Sequence, residues 1–135
     1  NTKGIALADT LLLPREALNY IAGTPYSATT MQTILAFVRE NNLYTLETGR
    51  PLTIRAVRDL STGAANGTTG RMVAYRNDRN EVQLHLPMPH RFLPVYQSGP
   101  LQFEVPGIFR TGGVEIMSEK TFFYVDGISE PMAIP

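Results

Sequence analysis

The stretch from His85 to Ile116, HLPMPHRFLPVYQSGPLQFEVPGIFRTGGVEI, places five prolines within sequence that otherwise favours β-strands. Proline cannot donate a main-chain hydrogen bond to a sheet, so prolines lie at sheet edges, bulges and strand ends. Only short segments remain between them, among them HRFL, LQFEV and VEIM. We therefore expect a long, thin, bent ribbon whose edges meet other protein, rather than a compact central sheet.

The sequence on either side of this stretch also favours strands. RMVAYR and EVQLHL flank the short polar segment NDRN, which predicts a β-hairpin. Val82, Leu84 and Leu86 would lie on one face of its second strand, and Glu81, Gln83 and His85 on the other. TFFYVDGI predicts a final strand, with Asp126-Gly127 as a turn signal. Ser61–Gly70, STGAANGTTG, has no large apolar residue and predicts a flexible loop.

The first third of the chain predicts a strand followed by two helices. The apolar run Ile5–Leu13 is typical of a strand buried on both faces. Pro14 then suits the first position of a short helix that continues to Ala22, and Gly23 suits a left-handed cap at its end.

The second helix is predicted within SATTMQTILAFVRENN, where Met31, Ile34, Leu35 and Val38 share one face. Ser27, Thr29 or Thr30 can cap its start, and Asn41 and Asn42 can end it. A half-exposed strand is predicted from Leu52 to Val57. The fold class is therefore α+β, with a mixed sheet, two helices and extended strands in one domain-sized chain of 135 residues.

Charge and composition favour contacts with other protein over nucleic-acid recognition. The formal net charge is zero, and charged residues make up 18% of the chain, against about 25% in typical proteins. Arginines outnumber lysines, which are Lys3 and Lys120 only, and arginine is the cation that suits interfaces. No basic excess or stripe marks a nucleic-acid binder.

Several kinds of chemistry are excluded by missing residues. The chain has no cysteine, so disulfides, thiolate metal sites and cysteine nucleophiles are excluded. The loop GAANGTTGR lacks the lysine and hydroxyl that a P-loop requires, and no G-x-S-x-G is present. No apolar run is long enough to span a bilayer. We expect no catalytic residues, no cofactor, no bound metal and no small-molecule substrate.

One alternative uses the two histidines, His85 and His90. Their spacing would place them on opposite faces of an uninterrupted strand, but Pro87 and Pro89 break that strand and leave the geometry open. A small β-rich ligand-binding, metal-binding or enzymatic domain therefore stays open as a second hypothesis.

The segments MVAY, LPMPHRFLP, EVPGIFRTGGVEI and FFYVDGI, together with DTLLLPREALNYIAGTPYS and TILAFVRENN, carry a family resemblance. They resemble major capsid proteins of tailed bacteriophages and prophages with the Hong Kong 97 capsid fold. Encapsulin-type compartments share this fold and stay open as a third hypothesis. Because the chain begins at Asn1 rather than Met, we expect a fragment or a processed product.

The resemblance implies a structural subunit that assembles with copies of itself, as pentamers and hexamers, into a virion capsid. It implies that residues 1–86 are mainly axial domain, and that residues 87–135 are the returning β-ribbon and the end of the peripheral domain. The shell would enclose DNA without sequence recognition, would have no membrane partner and would be made in the bacterial host cytoplasm. Lysine–asparagine crosslinking, known in some relatives, cannot be assigned to any residue here.

In this family the tips of the axial domain meet around symmetry axes. Our candidates for such tips are the Ser61–Gly70 loop and the GTPYSATT turn. The candidate subunit-interface residues are Ser61, Asn66, Gly67, Arg71, His90, Arg91, Phe92 and Arg110.

Overall fold

The computed structural model describes residues 6–128, which fold into two compact units. The central unit contains the described residues up to Asp78 and those from Ser118 onward. The second unit is Arg79–Met117, which we call the ribbon.

The elements follow one another in an α+β order. The helices are α1 (Arg15–Gly23), α2 (Ile34–Glu40) and α3 (Leu43–Thr48), with short 3-10 turns at Arg58–Thr62 and Glu119–Thr121. The strands are β1 (Thr10–Leu13), β2 (Thr53–Ala56), β3 (Gly70–Tyr75), β4 (Val82–His85), β5 (Met88–Phe92), β6 (Tyr96–Gly99), β7 (Gln102–Glu104), β8 (Gly107–Arg110), β9 (Gly113–Ile116) and β10 (Phe122–Ile128).

The central unit is built on a four-stranded mixed sheet in the order β10-β3-β1-β2. β1 and β2 are parallel, and the three helices lie between them in sequence because a parallel pair needs a crossover connection. β3 runs antiparallel to both β1 and β10. The buried apolar side chains, Leu13, Ala64 and Val73, all belong to this unit. The predicted α+β class with a mixed sheet is confirmed.

The first strand and the first helix form where the sequence predicts them, with shifted ends. β1 begins at Thr10, later than predicted, and the predicted start at Ile5 lies outside the described residues. Pro14 precedes the first helical residue instead of occupying it, with φ −54° and ψ 147°. Gly23 is the last residue of the helix, and Thr24 ends it in an extended conformation, so the predicted left-handed cap is wrong.

The second helical segment divides into two helices, whereas the sequence predicts one. Thr33 caps α2 by accepting a hydrogen bond from the Ala36 N–H at 3.3 Å, so the predicted caps further upstream are wrong. Met31 lies before the helix and is fully exposed, at 101%. Asn41 ends α2 as predicted, but Asn42 starts α3, a helix that the apolar periodicity does not indicate.

The predicted hairpin between β3 and β4 is wrong. Both edges of β3 are already paired, one with β1 and the other with β10. β4 pairs instead with β9, far along the chain. Asp9 redirects the chain at this point, because its Oδ1 accepts a hydrogen bond from the Asn77 N–H at 2.8 Å.

The final strand is confirmed, but Asp126-Gly127 is not a turn. Both residues lie within β10, where the register against β3 shifts between Asp126 and Ile128. Gly127 has φ +86°, so the dipeptide supplies the positive φ of a bulge inside the strand. Within residues 6–128, no helix is long and apolar enough to cross a membrane.

Candidate subunit-contact surfaces

The ribbon consists of three two-stranded antiparallel sheets, formed as the chain runs outward through β4, β5 and β6 and returns through β7, β8 and β9. The prolines lie mostly in the breaks between these short pairs, such as Pro87 and Pro106. The predicted ribbon of short strands is therefore confirmed. In the described chain, no third strand pairs with either edge of these sheets.

The first pair, β4 and β9, has one apolar and one polar face. Val82 lies opposite Ile116, and Leu84 lies opposite Val114. Directly paired residues share a face, so these four side chains form one apolar surface. Leu84 is 60% exposed and Val114 is 62% exposed. Ile116 is 40% exposed, and Val82 is half-buried.

The opposite face of this pair is polar. Gln83 lies opposite Glu115, and the His85 Nε2 is 2.6 Å from the Glu115 Oε2. Both side chains are about half exposed, so the contact contributes little to stability. The predicted alternation along β4 is therefore confirmed.

The middle pair, β5 and β8, collects aromatic rings on one face. The His90 ring lies edge-on to the Phe92 ring at 4.8 Å and is 6.3 Å from the Phe109 ring. Gly107 lies opposite Phe92 and leaves space for the imidazole, since a Cβ there would be 2.9 Å from the His90 Nε2. Phe92 and Phe109 remain exposed.

The other face of the middle pair carries two arginines. Arg91 lies opposite Ile108, and Arg110 lies opposite Met88. Ile108 and Arg110 are two residues apart on β8, so these four residues share one face. Of the predicted contact residues, His90 and Phe92 thus occupy one face and Arg91 and Arg110 the other.

The ribbon ends at a tight turn between β6 and β7. The Tyr96 hydroxyl donates a hydrogen bond to Glu104, directly opposite, and this bond raises the pKa of Tyr96. Leu101 lies in the turn and is 96% exposed. Leu101 is the most exposed large apolar side chain of the ribbon, so covering it would remove apolar area from water.

Exposed apolar side chains are concentrated on the ribbon. No apolar residue of the ribbon is buried, whereas thirteen large ones are exposed. A soluble monomer rarely exposes large contiguous apolar patches, so we interpret this surface as one that other protein covers. The thirteen are Leu84, Leu86, Phe92, Leu93, Val95, Tyr96, Leu101, Phe103, Val105, Phe109, Val114, Ile116 and Met117.

The Ser61–Gly70 loop contains several internal hydrogen bonds, and its predicted flexibility stays a prediction. Ser61 Oγ donates to the Arg58 carbonyl at 2.8 Å. Asn66 Oδ1 accepts from the N–H groups of Thr68 and Thr69 at 3.0 and 3.1 Å. Gly67 has φ +71°, which the turn requires.

Arg71 is engaged within the chain. Its guanidinium contacts both carboxylate oxygens of Asp126, which also accepts the Ala65 N–H at 3.2 Å. The hydrogen bond from Arg71, followed by that from Ala65, lowers the pKa of Asp126 to about 2. Arg71 also lies over the Tyr124 ring, 5.1 Å from its centroid. Sequence reasoning missed Asp126, whose only signal was the turn-like Asp-Gly pair.

The candidate tip residues therefore have roles in holding their own loop. Ser61, Asn66 and Arg71 each make the internal contacts described above, although their loop remains largely exposed. Their role in subunit contacts stays a prediction, as does that of the four candidates on the ribbon.

The two histidines lie in different surroundings. His85 contacts Glu115 on β9, and His90 packs against aromatic rings on β5 and β8. Within residues 6–128, no three histidine, aspartate or glutamate side chains are grouped to hold a metal ion. A polar cavity of about 540 Å³ in the central unit includes Asp9, Arg50 and Arg76 in its lining, and neither histidine reaches it.

Comparisons with known proteins give one matching family model and a solved structure of similar fold. The family model described as "Major capsid protein" matches residues 1–128. A chain from the structure titled "The capsid of Myoviridae Phage XM1" superposes with a TM-score of 0.72 and 18% sequence identity, covering 90% of this chain. The chain spans 38% of the length of that capsid chain. No curated protein matches significantly.

Proposed function

This chain belongs to the major capsid protein family, and from that premise we propose that it joins neighbouring copies into the closed shell of a phage. As a major capsid protein it is a structural component of the virion capsid and not an enzyme. The proposal concerns what this part of the subunit does within the shell.

The observation that carries the proposal is the exposed apolar surface of the ribbon. Strands that stay two-stranded leave main-chain N–H and C=O groups free along both edges, and such edges pair with or pack against other chains. Leu84 and Val114 on one face, and Phe92 and Phe109 on another, supply apolar area beside these edges. Covering it would stabilise association at about 25 cal/mol per Å² of apolar area removed from water.

In a shell with closed symmetry, many weak contacts between copies are enough to hold the assembly together. Each copy in a shell repeats the same contacts, and their combined effect exceeds the affinity of any one contact. We propose pentamers and hexamers as the repeating assemblies, with synthesis in the bacterial host cytoplasm. Zero net charge removes long-range repulsion between copies.

Packaged DNA would lie inside this shell without sequence recognition. The ribbon carries three arginines and three glutamates and no lysine, so it offers no net positive surface to phosphates. Within the shell we assign residues 1–86 mainly to the axial domain and 87–135 to the returning ribbon and the end of the peripheral domain.

The experiment is to produce the complete gene product and measure its assembly by light scattering and electron microscopy. Closed particles are expected over some range of salt and protein concentration. Only monomers across that whole range would overturn the proposal. No specific observation favours the second hypothesis of a ligand site on His85 and His90, since the two imidazoles contact different partners.

A further inference from the structure

An exposed stripe on α3 combines apolar and acidic side chains. Leu43, Leu46 and Glu47 have i, i+3 and i+4 spacing, so they lie on one face of this helix. Leu43 is 58% exposed and Leu46 is 70% exposed. The sequence of α3, LYTLET, contains one carboxylate and no cation.

The arginine face of the ribbon, which is Met88, Arg91, Ile108 and Arg110, has the complementary character. Met88 and Ile108 are half-buried, and both arginines are exposed. Within the part of the chain that the structure describes, neither guanidinium forms an ion pair. Arg91 and Arg110 lie diagonally on this face, so an approaching carboxylate meets two charges of the same sign.

The carboxylates of the ribbon are not available to these arginines. Glu115 contacts His85, and Glu104 accepts the hydrogen bond from Tyr96. Glu81 has one carboxylate oxygen buried without a hydrogen-bond partner in the structure. None of these carboxylates forms an ion pair with Arg91 or Arg110 in the structure, which leaves both arginines open to a carboxylate of another copy.

We propose that the α3 stripe of one copy docks on the arginine face of the ribbon of a second copy, with Glu47 between Arg91 and Arg110. This inference rests on the proposed function, because it names the surfaces through which copies of the subunit meet. A carboxylate matches the forked donors of a guanidinium in two-point contacts. Leu43 and Leu46 would cover the apolar side chains between the arginines.

Charge complementarity favours α3 over the other two helices as the partner. In α1, Arg15 and Glu16 are adjacent, and in α2, Arg39 and Glu40 are adjacent, so neither helix presents a net negative face. α2 also exposes no large apolar side chain, so it offers nothing to cover Met88 and Ile108.

The two surfaces differ, so the contact is head-to-tail. Head-to-tail contacts generate closed rings when the rotation between copies closes. The contact is small, and repetition around a ring supplies the stability that a single contact lacks. A DNA phosphate is the competing anion for these arginines, but phosphate would leave the apolar residues between them uncovered.

The test is a charge reversal made in the complete gene product. Arg110→Glu is expected to raise the protein concentration needed for half-maximal assembly by about tenfold or more. Adding Glu47→Arg to it should lower that concentration again by several-fold without restoring it fully, because one ion pair is re-formed in reverse while Arg91 remains beside the introduced arginine. Arg79→Glu, an exposed change on the same ribbon outside the arginine face, is the matched control and should assemble normally.

Each outcome separates this inference from the proposed function. An assembly defect in Arg110→Glu that Glu47→Arg does not relieve would overturn the α3 partner, and normal assembly with a lower DNA content would assign the arginines to phosphate. If Arg110→Glu unfolds, assembly of Arg91→Glu, alone and combined with Glu47→Arg, provides a second test. Failure of the unaltered protein to form particles would instead contradict the proposed function.

Discussion

Arg71 and Asp126 are joined by two parallel hydrogen bonds, Nε to Oδ1 at 2.6 Å and Nη2 to Oδ2 at 2.8 Å. Arg71 lies on β3 and Asp126 lies opposite it on β10. Because Asp126 also accepts the Ala65 N–H, one carboxylate connects the last strand, the central strand and the Ser61–Gly70 loop. A candidate tip of the subunit is thus held in shape by a residue more than fifty positions away in sequence.

Replacing Asp126 with asparagine is expected to lower the thermal unfolding midpoint near pH 6. The folded pKa of Asp126 is about 2, below the ordinary value of 3.8, so its stabilising contribution is present above pH 3.8 and is lost as pH falls toward 2. Unfolding midpoints measured from pH 7 to pH 2 should therefore fall less steeply in Asp126→Asn than in the original protein. Parallel curves would show that the pair does not contribute to stability.

Replacing Gly70 with alanine is expected to destabilise the central unit by about 1–3 kcal/mol, as overpacking does. A Cβ at Gly70 would lie 2.4 Å from the Ile128 carbonyl oxygen and 3.0 Å from the Pro14 Cγ, so the backbone of β10 must shift. Chemical denaturation gives the change in the free energy of unfolding. Gly23→Ala is the matched control, because nothing lies within 4 Å of its added Cβ, and it should be neutral or slightly stabilising.

Replacing Asn42 with alanine is expected to cost about 1 kcal/mol, the usual value of a lost N-cap. Asn42 Oδ1 accepts from the Thr45 N–H at 2.8 Å, while its Nδ2 donates to the carbonyls of Val38 and Arg39 at 2.9 and 3.0 Å. Asn42→Asp keeps the contact with the Thr45 N–H and loses the three hydrogen bonds that Nδ2 donates, to the two carbonyls and to the Thr45 Oγ1 at 2.9 Å. Denaturation of both variants therefore separates the cap from the link to α2. Equal loss in both would assign the stability to the link alone.

The sequence predicts the strands better than their partners. The alternation along β4 indicates correctly which of its residues share a face, and the prolines indicate correctly that the strands of the ribbon are short, because these are local properties of the chain. The β3–β4 hairpin failed because strand pairing is decided by distant segments: β10 and β1 occupy both edges of β3. No local pattern reveals that competition.

The helical region shows a second limit. α3 has six residues, and its leucines are exposed, so its sequence lacks the apolar pattern by which a buried helix is predicted. The residue that indicates α3 is Asn42, its N-cap. An asparagine can end one helix or start the next, and the sequence alone does not distinguish these two roles. Arg91 and Arg110, which the sequence offers as candidate contact residues, are exposed, and their shared face follows only from the β5–β8 register.

Replacing Leu101 with aspartate should leave the thermal unfolding midpoint unchanged, because the side chain is 96% exposed. Assembly of the complete gene product should nevertheless require a protein concentration about tenfold higher, because an aspartate at a subunit contact loses the apolar burial of the leucine and must be desolvated. Leu101→Met keeps an apolar side chain of similar size and should assemble normally. If the aspartate variant assembles at the original concentration, the tip is not an anchor.

The central claim is that other protein covers the apolar surface of the ribbon in the shell. Electron cryomicroscopy of assembled particles, at a resolution that shows side chains, measures this directly through the solvent exposure of Leu84, Phe92, Leu101 and Val114. We predict that most of their exposed area is buried against protein in the particle. Particles in which these four side chains remain open to solvent would contradict the account.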